Sequence, residues 1–172
     1  MNLPYVCNLL STRRIEMIEI KNKSGEVIQK IDGADLNGAD LRCDKLYEAD
    51  LRGVDLKRAV MHGVNLNGAD LFGADLSGAD LRGADLSGAN LQNTDLDRAN
   101  LEGADLTDAC LFGANLTGVN FTKANLSGAD FYRANLKGSN LTKANLKGTD
   151  LTGADLKDAN LTGVKINKDT RF

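Results

Sequence analysis

The chain's 172 residues make room for one domain, and 42% hydrophobic with 26% charged residues is the balance of an ordinary soluble protein. Its 18 Gly, single Pro, absent Trp and 5% aromatic residues are not ordinary, and they leave Leu and Ala to fill any core. The net charge of −3 includes no basic tract able to neutralise a run of phosphates, and no stretch reaches the ~18 apolar residues of a membrane span, so neither direct nucleic-acid binding nor a membrane is expected.

Charge is unevenly spread, since residues 31–100 hold seven Lys/Arg against thirteen Asp/Glu while residues 101–172 hold nine against eight. Arg13 and Arg14 follow the apolar part of the first 20 residues, the reverse of an export signal, and a cytoplasmic protein is expected. Cys7, Cys43 and Cys110 are odd in number and far apart, which suggests neither a disulfide framework nor a zinc pair.

In chain order, residues 1–30 come first as an N-terminal segment. Ile15 to Lys21 and Glu26 to Ile31 are rich in β-branched residues and flank Asn22-Lys23-Ser24-Gly25, a turn signal. A β-hairpin is expected there, capping the open lower end of the structure that follows.

The rest, residues 31–168, is one repeat. From Leu36 to Ile166 an apolar residue occupies every fifth position, 27 in all, of which 23 are Leu and the others Met61, Phe121, Phe131 and Ile166. Two residues before each centre stands Ala in 19 units; one before stands Asp or Asn in 23; two after stands Gly in 16. Period five fits neither a helix, where no stripe would form, nor a straight strand, which would throw alternate Leu to opposite faces. Every Leu points inward only if the chain bends once per unit, at the Gly position where a missing Cβ costs least. A chain bending the same way each time coils and stacks on itself. Phe112 and Tyr132 stand 20 apart, as do Thr122, Thr142 and Thr162, and like residues gain by stacking, so four units per coil are favoured over three. Residues 169–172 read as a short tail.

Units such as Ala69-Asp70-Leu71-Phe72-Gly73 and Ala79-Asp80-Leu81-Arg82-Gly83 resemble the pentapeptide-repeat protein family. The resemblance implies an all-β fold, a right-handed quadrilateral β-helix with one unit per side. At four units per coil, 27 units make about 6.75 coils, a rod roughly 32 Å long at ~4.8 Å per coil.

No chemistry emerges from the polar residues. His62, the one histidine, has no partner that the repeat holds beside it, and acid–base work needs one. The Asp or Asn before each centre is expected to hydrogen-bond local backbone at the turn. No calcium loop, nucleophile elbow or phosphate-cradling loop is present, so the chain is expected to be no enzyme and to hold no cofactor or metal.

Surface remains. On a 20-residue coil, Phe72, Phe112 and Tyr132 fall in one outward column with Arg52, Gln92 and Thr152, a candidate protein interface. A second column, Asp35, Asp55, Asp75 and Asp95, is a candidate acidic stripe, with Arg58 and Arg98 expected to offset its charge. The best-understood family members outline duplex DNA and inhibit or protect DNA gyrase; this chain differs in its weak charge, uninterrupted repeat and lack of a C-terminal helix. The expected function is therefore a rigid scaffold or protein-binding module with an unidentified protein partner, with gyrase-directed DNA mimicry as the alternative. Leu161, Ile166 and Phe172 on the last coil offer a surface for a homodimer.

Overall fold

The computed structural model describes residues 17–32, 35–42 and 45–172. Cys7, Cys43 and the beginning of the expected hairpin arm lie outside them.

Strands β1 (Met17–Asn22) and β2 (Val27–Asp32) pair antiparallel, with Met17 opposite Asp32 and a register shift between Ile20 and Lys21. Asn22 closes the turn, its Oδ1 accepting the Ser24 and Glu26 N–H groups at 3.0 and 2.9 Å, while Gly25 takes the left-handed conformation (φ +83°) the bend requires. Strand β3 (Ala49–Asp50) adds to β1, Lys21 opposite Asp50, giving the sheet order β2-β1-β3. The hairpin is thereby tied to the first coil by backbone, and Ile20 of β1 is buried with the core.

Beyond the hairpin, parallel bridges join residues 20 apart: Asp55 to Asp75, Asp75 to Asp95, Asp95 to Asn115 and so on. Four five-residue units therefore make each coil, and the coils stack in the manner of a β-helix. Four walls result. The first carries the centres Leu36, Leu56 and Leu76 onward, the second those from Leu41, the third those from Leu46 and the fourth those from Leu51.

Why a pentapeptide suffices is seen in the backbone of Ala69–Gly73. Ala69 N–H donates to Leu66 C=O across the turn (3.0 Å). Asp70 N–H donates to Ala49 below (2.8 Å), while Leu71 and Gly73 donate to Asn90 and Gln92 above (2.8 and 2.9 Å). The fifth donor, Phe72 N–H, goes to Asp70 Oδ1 at 3.1 Å. All five donors are satisfied, and the recurring chemistry of the unit follows: Asp or Asn completes the set that backbone alone leaves one short. The Gly position has φ near +65° throughout, as the third residue of a type II turn does, and among the described residues nine other than Gly adopt it too, Arg58, Arg98, Asp108 and Lys143 among them.

Centres from Leu36 to Leu151 are buried, and the alanines two residues before them line the same interior. Phe121 and Phe131 meet edge to face inside it, ring centroids 6.0 Å apart. Thr94 and Thr149, replacing Ala, donate their hydroxyls to Leu71 and Leu126 C=O one coil below (3.0 and 2.8 Å). At the upper end Leu156, Leu161 and Val164 are only half-buried and Ile166 is exposed. The register then slips by one residue: Arg171 bridges Asp150, 21 residues earlier, and the Thr170 hydroxyl donates to Leu146 C=O at 2.8 Å. The segment after Ile166 thus continues the coil through a longer turn, with Thr170 N–H donating to Asn167 C=O (3.2 Å).

Candidate interaction surfaces

The fourth wall brings the aromatic column together. Phe112 and Tyr132 stack at 5.8 Å with ring planes 16° apart, and the Arg133 guanidinium lies 5.2 Å from the Tyr132 ring centre. Phe72 is 45% exposed and Phe112 36%, with Gln92 in the coil between them. Arg52, at the foot of the column, is committed to Asp50 through two bonds of 2.7 and 2.6 Å. Tyr47, on the third wall, stands apart from this column and donates its hydroxyl to Glu48 at 2.9 Å.

On the first wall Asp35, Asp55, Asp75 and Asp95 line up, but the stripe is not a bare row of carboxylates. Lys57 lies between Asp55 and Asp75, at 3.5 and 2.9 Å, and joins them. Burial pushes the Asp75 carboxyl up, yet the Ser77 hydroxyl and Lys57 ammonium together hold it below the ordinary range. Asp95 accepts from the Asn115 side-chain amide at 2.9 Å, and Asp35 caps Asn37 N–H at 3.1 Å. The neutralising residue is thus Lys57 rather than the expected Arg58 and Arg98. Those two occupy left-handed corners beside the wall, and the nearest carboxylate to Arg98 is Asp97, at 3.8 Å.

Elsewhere the same neutralisation recurs by another route. In Asp40-Leu41-Arg42 and Asp80-Leu81-Arg82 the arginine doubles back on the aspartate two residues earlier, with bonds of 2.6–2.7 Å. These bonds hold both carboxyls below the ordinary range. His62 sits between these pairs, its Nδ1 3.7 Å from Asp80 Oδ2. Among the described residues no three His, Cys, Asp or Glu side chains converge as a metal set. No described helix is long and apolar enough to cross a membrane.

Stacked coils, a solid apolar interior and flat polar walls define a repeat protein. The chain belongs to the pentapeptide-repeat family, whose model matches eight copies over residues 45–78, 74–111, 99–138, 109–148 and 129–167. It is similar to the pentapeptide-repeat protein Rfr23 of the cyanobacterium Cyanothece 51142, at 29% identity over 80% of this chain and 87% of that one, TM-score 0.45. HetL of the cyanobacterium Nostoc sp. strain PCC 7120, described as involved in heterocyst differentiation regulation, matches at 31% identity over 77% of this chain and 81% of that one, TM-score 0.38. QnrB1, a plasmid-mediated fluoroquinolone resistance protein, matches at 22% identity over 80% and 87% of the two chains, TM-score 0.38. No curated protein matches the chain.

Proposed function

We propose that the chain is a rigid, non-enzymatic, cytoplasmic scaffold that holds a protein partner on its walls: a right-handed coil of about 6.75 turns over residues 31–168, with residues 1–30 as its N-terminal cap and 169–172 as its end. The observation that carries this reading is the aromatic column of the fourth wall. Phe72 and Phe112 are kept exposed on the outer face, above Arg52, which is tied to Asp50. Aromatic side chains supply large contact area at low entropic cost, which is what a binding wall needs. A partner bound there is lost when Phe112 and Tyr132 are both replaced by Ser, while the protein stays folded; unchanged capture by the doubly substituted protein contradicts the reading.

Gyrase-directed DNA mimicry is the competing reading, and the resistance protein among the structural neighbours motivates testing it. Against it stand Lys57 within the acidic stripe and the Arg–Asp pairs of the second and fourth walls, which break up a phosphate-like track. A gyrase supercoiling assay with and without quinolone separates the two, because inhibition or drug protection belongs to mimicry alone. The half-buried Leu161 and exposed Ile166 and Phe172 extend the proposal to a homodimer through the last coil, checked by sedimentation of wild type against Ile166→Ser with Phe172→Ser.

A further inference from the structure

Three units of the chain read Asp-Leu-Arg, and in each the arginine turns back on its own aspartate. Arg42 meets Asp40, Arg52 meets Asp50 and Arg82 meets Asp80, each through an Nε–Oδ1 contact of 2.7 Å and an Nη2–Oδ2 contact of 2.6 Å. The aspartate and the residue two after it share the outer face of a wall, so a planar guanidinium at the second position bonds both oxygens at the first. On the fourth wall two units keep the aspartate and put a ring in the arginine's place: Asp70-Leu71-Phe72 and Asp130-Phe131-Tyr132.

Each of these two carboxylates uses one oxygen within the chain. Asp70 Oδ1 accepts the Phe72 N–H at 3.1 Å and the Asn90 side-chain amide at 2.9 Å, and Asp130 Oδ1 accepts the Tyr132 N–H at 2.8 Å. The second oxygens are left over. Asp70 Oδ2 lies 3.8 Å from Arg52 Nε, a group already bonded to Asp50. Asp130 Oδ2 has, among the described residues, only the Cys110 thiol at 3.9 Å. The rings beside them are platforms for a cation. At the top of the column the chain supplies one itself, the Arg133 guanidinium 5.2 Å from the Tyr132 ring centre. Phe72 carries neither a ring nor a guanidinium among the described residues, and the side-chain amide of Gln92 above it makes no hydrogen bond there.

We infer that the fourth wall takes arginine side chains from a basic, extended segment of the protein partner, each guanidinium bonding the spare oxygen of Asp70 or Asp130 while it lies against the exposed rings. The inference rests on the reading of this wall as the binding wall and names what it binds. Charge favours it. Arg52 and Arg171 are committed to Asp50 and Asp150, so Asp70, Asp130 and the exposed Asp108 at the neighbouring corner are set against Arg133 alone. Asp70 and Asp130 stand three coils apart, about 14 Å at ~4.8 Å per coil; an extended chain covers about 13 Å in four residues and returns its side chain to the same face. Two arginines four residues apart therefore fit the two carboxylates together.

Fluorescence anisotropy of labelled peptides added to the full chain tests it, at low ionic strength and at about 0.5 M salt. The probe is a nine-residue serine–threonine peptide carrying two arginines four residues apart; three companions replace both arginines by lysine, glutamine or glutamate. At low salt the arginine peptide should bind at least about fivefold tighter than the lysine peptide, because an ammonium offers neither the paired bonds nor a flat face to a ring. The glutamine and glutamate peptides should not bind. Asp70→Asn with Asp130→Asn should weaken arginine binding at least about tenfold. The fold tolerates this change, since Asn90 in the same column accepts the Gln92 N–H (3.2 Å) as the aspartates accept theirs. Phe72→Leu keeps an apolar side chain and should cost the arginine peptide about threefold, narrowing its margin over lysine. Equal binding of the arginine and lysine peptides overturns the inference, as does arginine binding that Asp70→Asn with Asp130→Asn leaves unchanged. A wall that loses its partner on Phe112→Ser with Tyr132→Ser, yet prefers the glutamine or glutamate peptide, contradicts this inference alone. Arginine binding indifferent both to Phe72→Leu and to Phe112→Ser with Tyr132→Ser contradicts the binding wall as well.

Discussion

Leu101 stands at mid-stack on the second wall, between the centres Leu81 and Phe121, and is fully buried. Leu101→Ala removes three carbons from an interior that neighbouring coils cannot close over, because each coil is held to the next by backbone bonds every few residues. Transfer alone costs about 2.4 kcal/mol at ~0.8 kcal/mol per methylene-sized group, and the void left behind brings the total to about 3–4 kcal/mol. The same substitution at Leu156, half-buried at the upper end, loses less transfer energy and leaves no closed void, so about 1 kcal/mol is expected. Urea unfolding followed by circular dichroism reads both. With a denaturant slope of about 2 kcal/mol/M the midpoint should fall by roughly 1.5–2 M for Leu101→Ala and about 0.5 M for Leu156→Ala. Equal shifts, or a Leu101→Ala cost under about 1 kcal/mol, would refute the inward stacking of the centres.

Gly83 has φ +62° and open space on the side where a Cβ would project, so Gly83→Ala should cost about 1 kcal/mol from conformation alone, read by thermal or urea unfolding; a neutral or stabilising result would contradict the turn assignment. Asp80, held down by its Arg82 bonds, contributes stability present above its ordinary value of 3.8 and lost as pH falls through its lowered folded value. The urea midpoint should therefore stay level near neutrality and drop below about pH 4, with Arg82→Gln lowering the neutral plateau and flattening the acid limb; a midpoint constant to pH 3 would contradict this. Replacing Phe112 and Tyr132 by Ser removes one stacked ring pair on the surface, and should cost no more than about 2 kcal/mol in unfolding experiments.

Much of the fold was legible because it is written in one period. Every centre from Leu36 to Leu151 is buried, the coincidence of Phe112 with Tyr132 foretold both the 20-residue coil and the ring stack, and Asn22 through Gly25 marked the hairpin turn. What the residue types left undecided was the direction of long side chains. Lys57 and Arg58 are neighbours with the same charge, yet only the first pairs with the acidic stripe. The one-residue slip that pairs Arg171 with Asp150 was hidden for a different reason: a single longer turn after Ile166 has no repeat to be compared against.

The 20-residue coil is the claim on which the walls, the aromatic column and the charge pairing all depend, and cysteine cross-linking tests it directly. In a chain with Cys7, Cys43 and Cys110 replaced by Ser, Thr122→Cys with Thr142→Cys places two thiols on adjacent coils, where strands ~4.8 Å apart meet the 4.4–6.8 Å Cα separation of a disulfide. Thr122→Cys with Lys137→Cys, fifteen residues apart, puts them on different walls. Mild oxidation of the folded protein should close the first pair rapidly within one chain and leave the second pair open. Closure of the fifteen-residue pair in preference to the twenty-residue pair would contradict the four-sided coil.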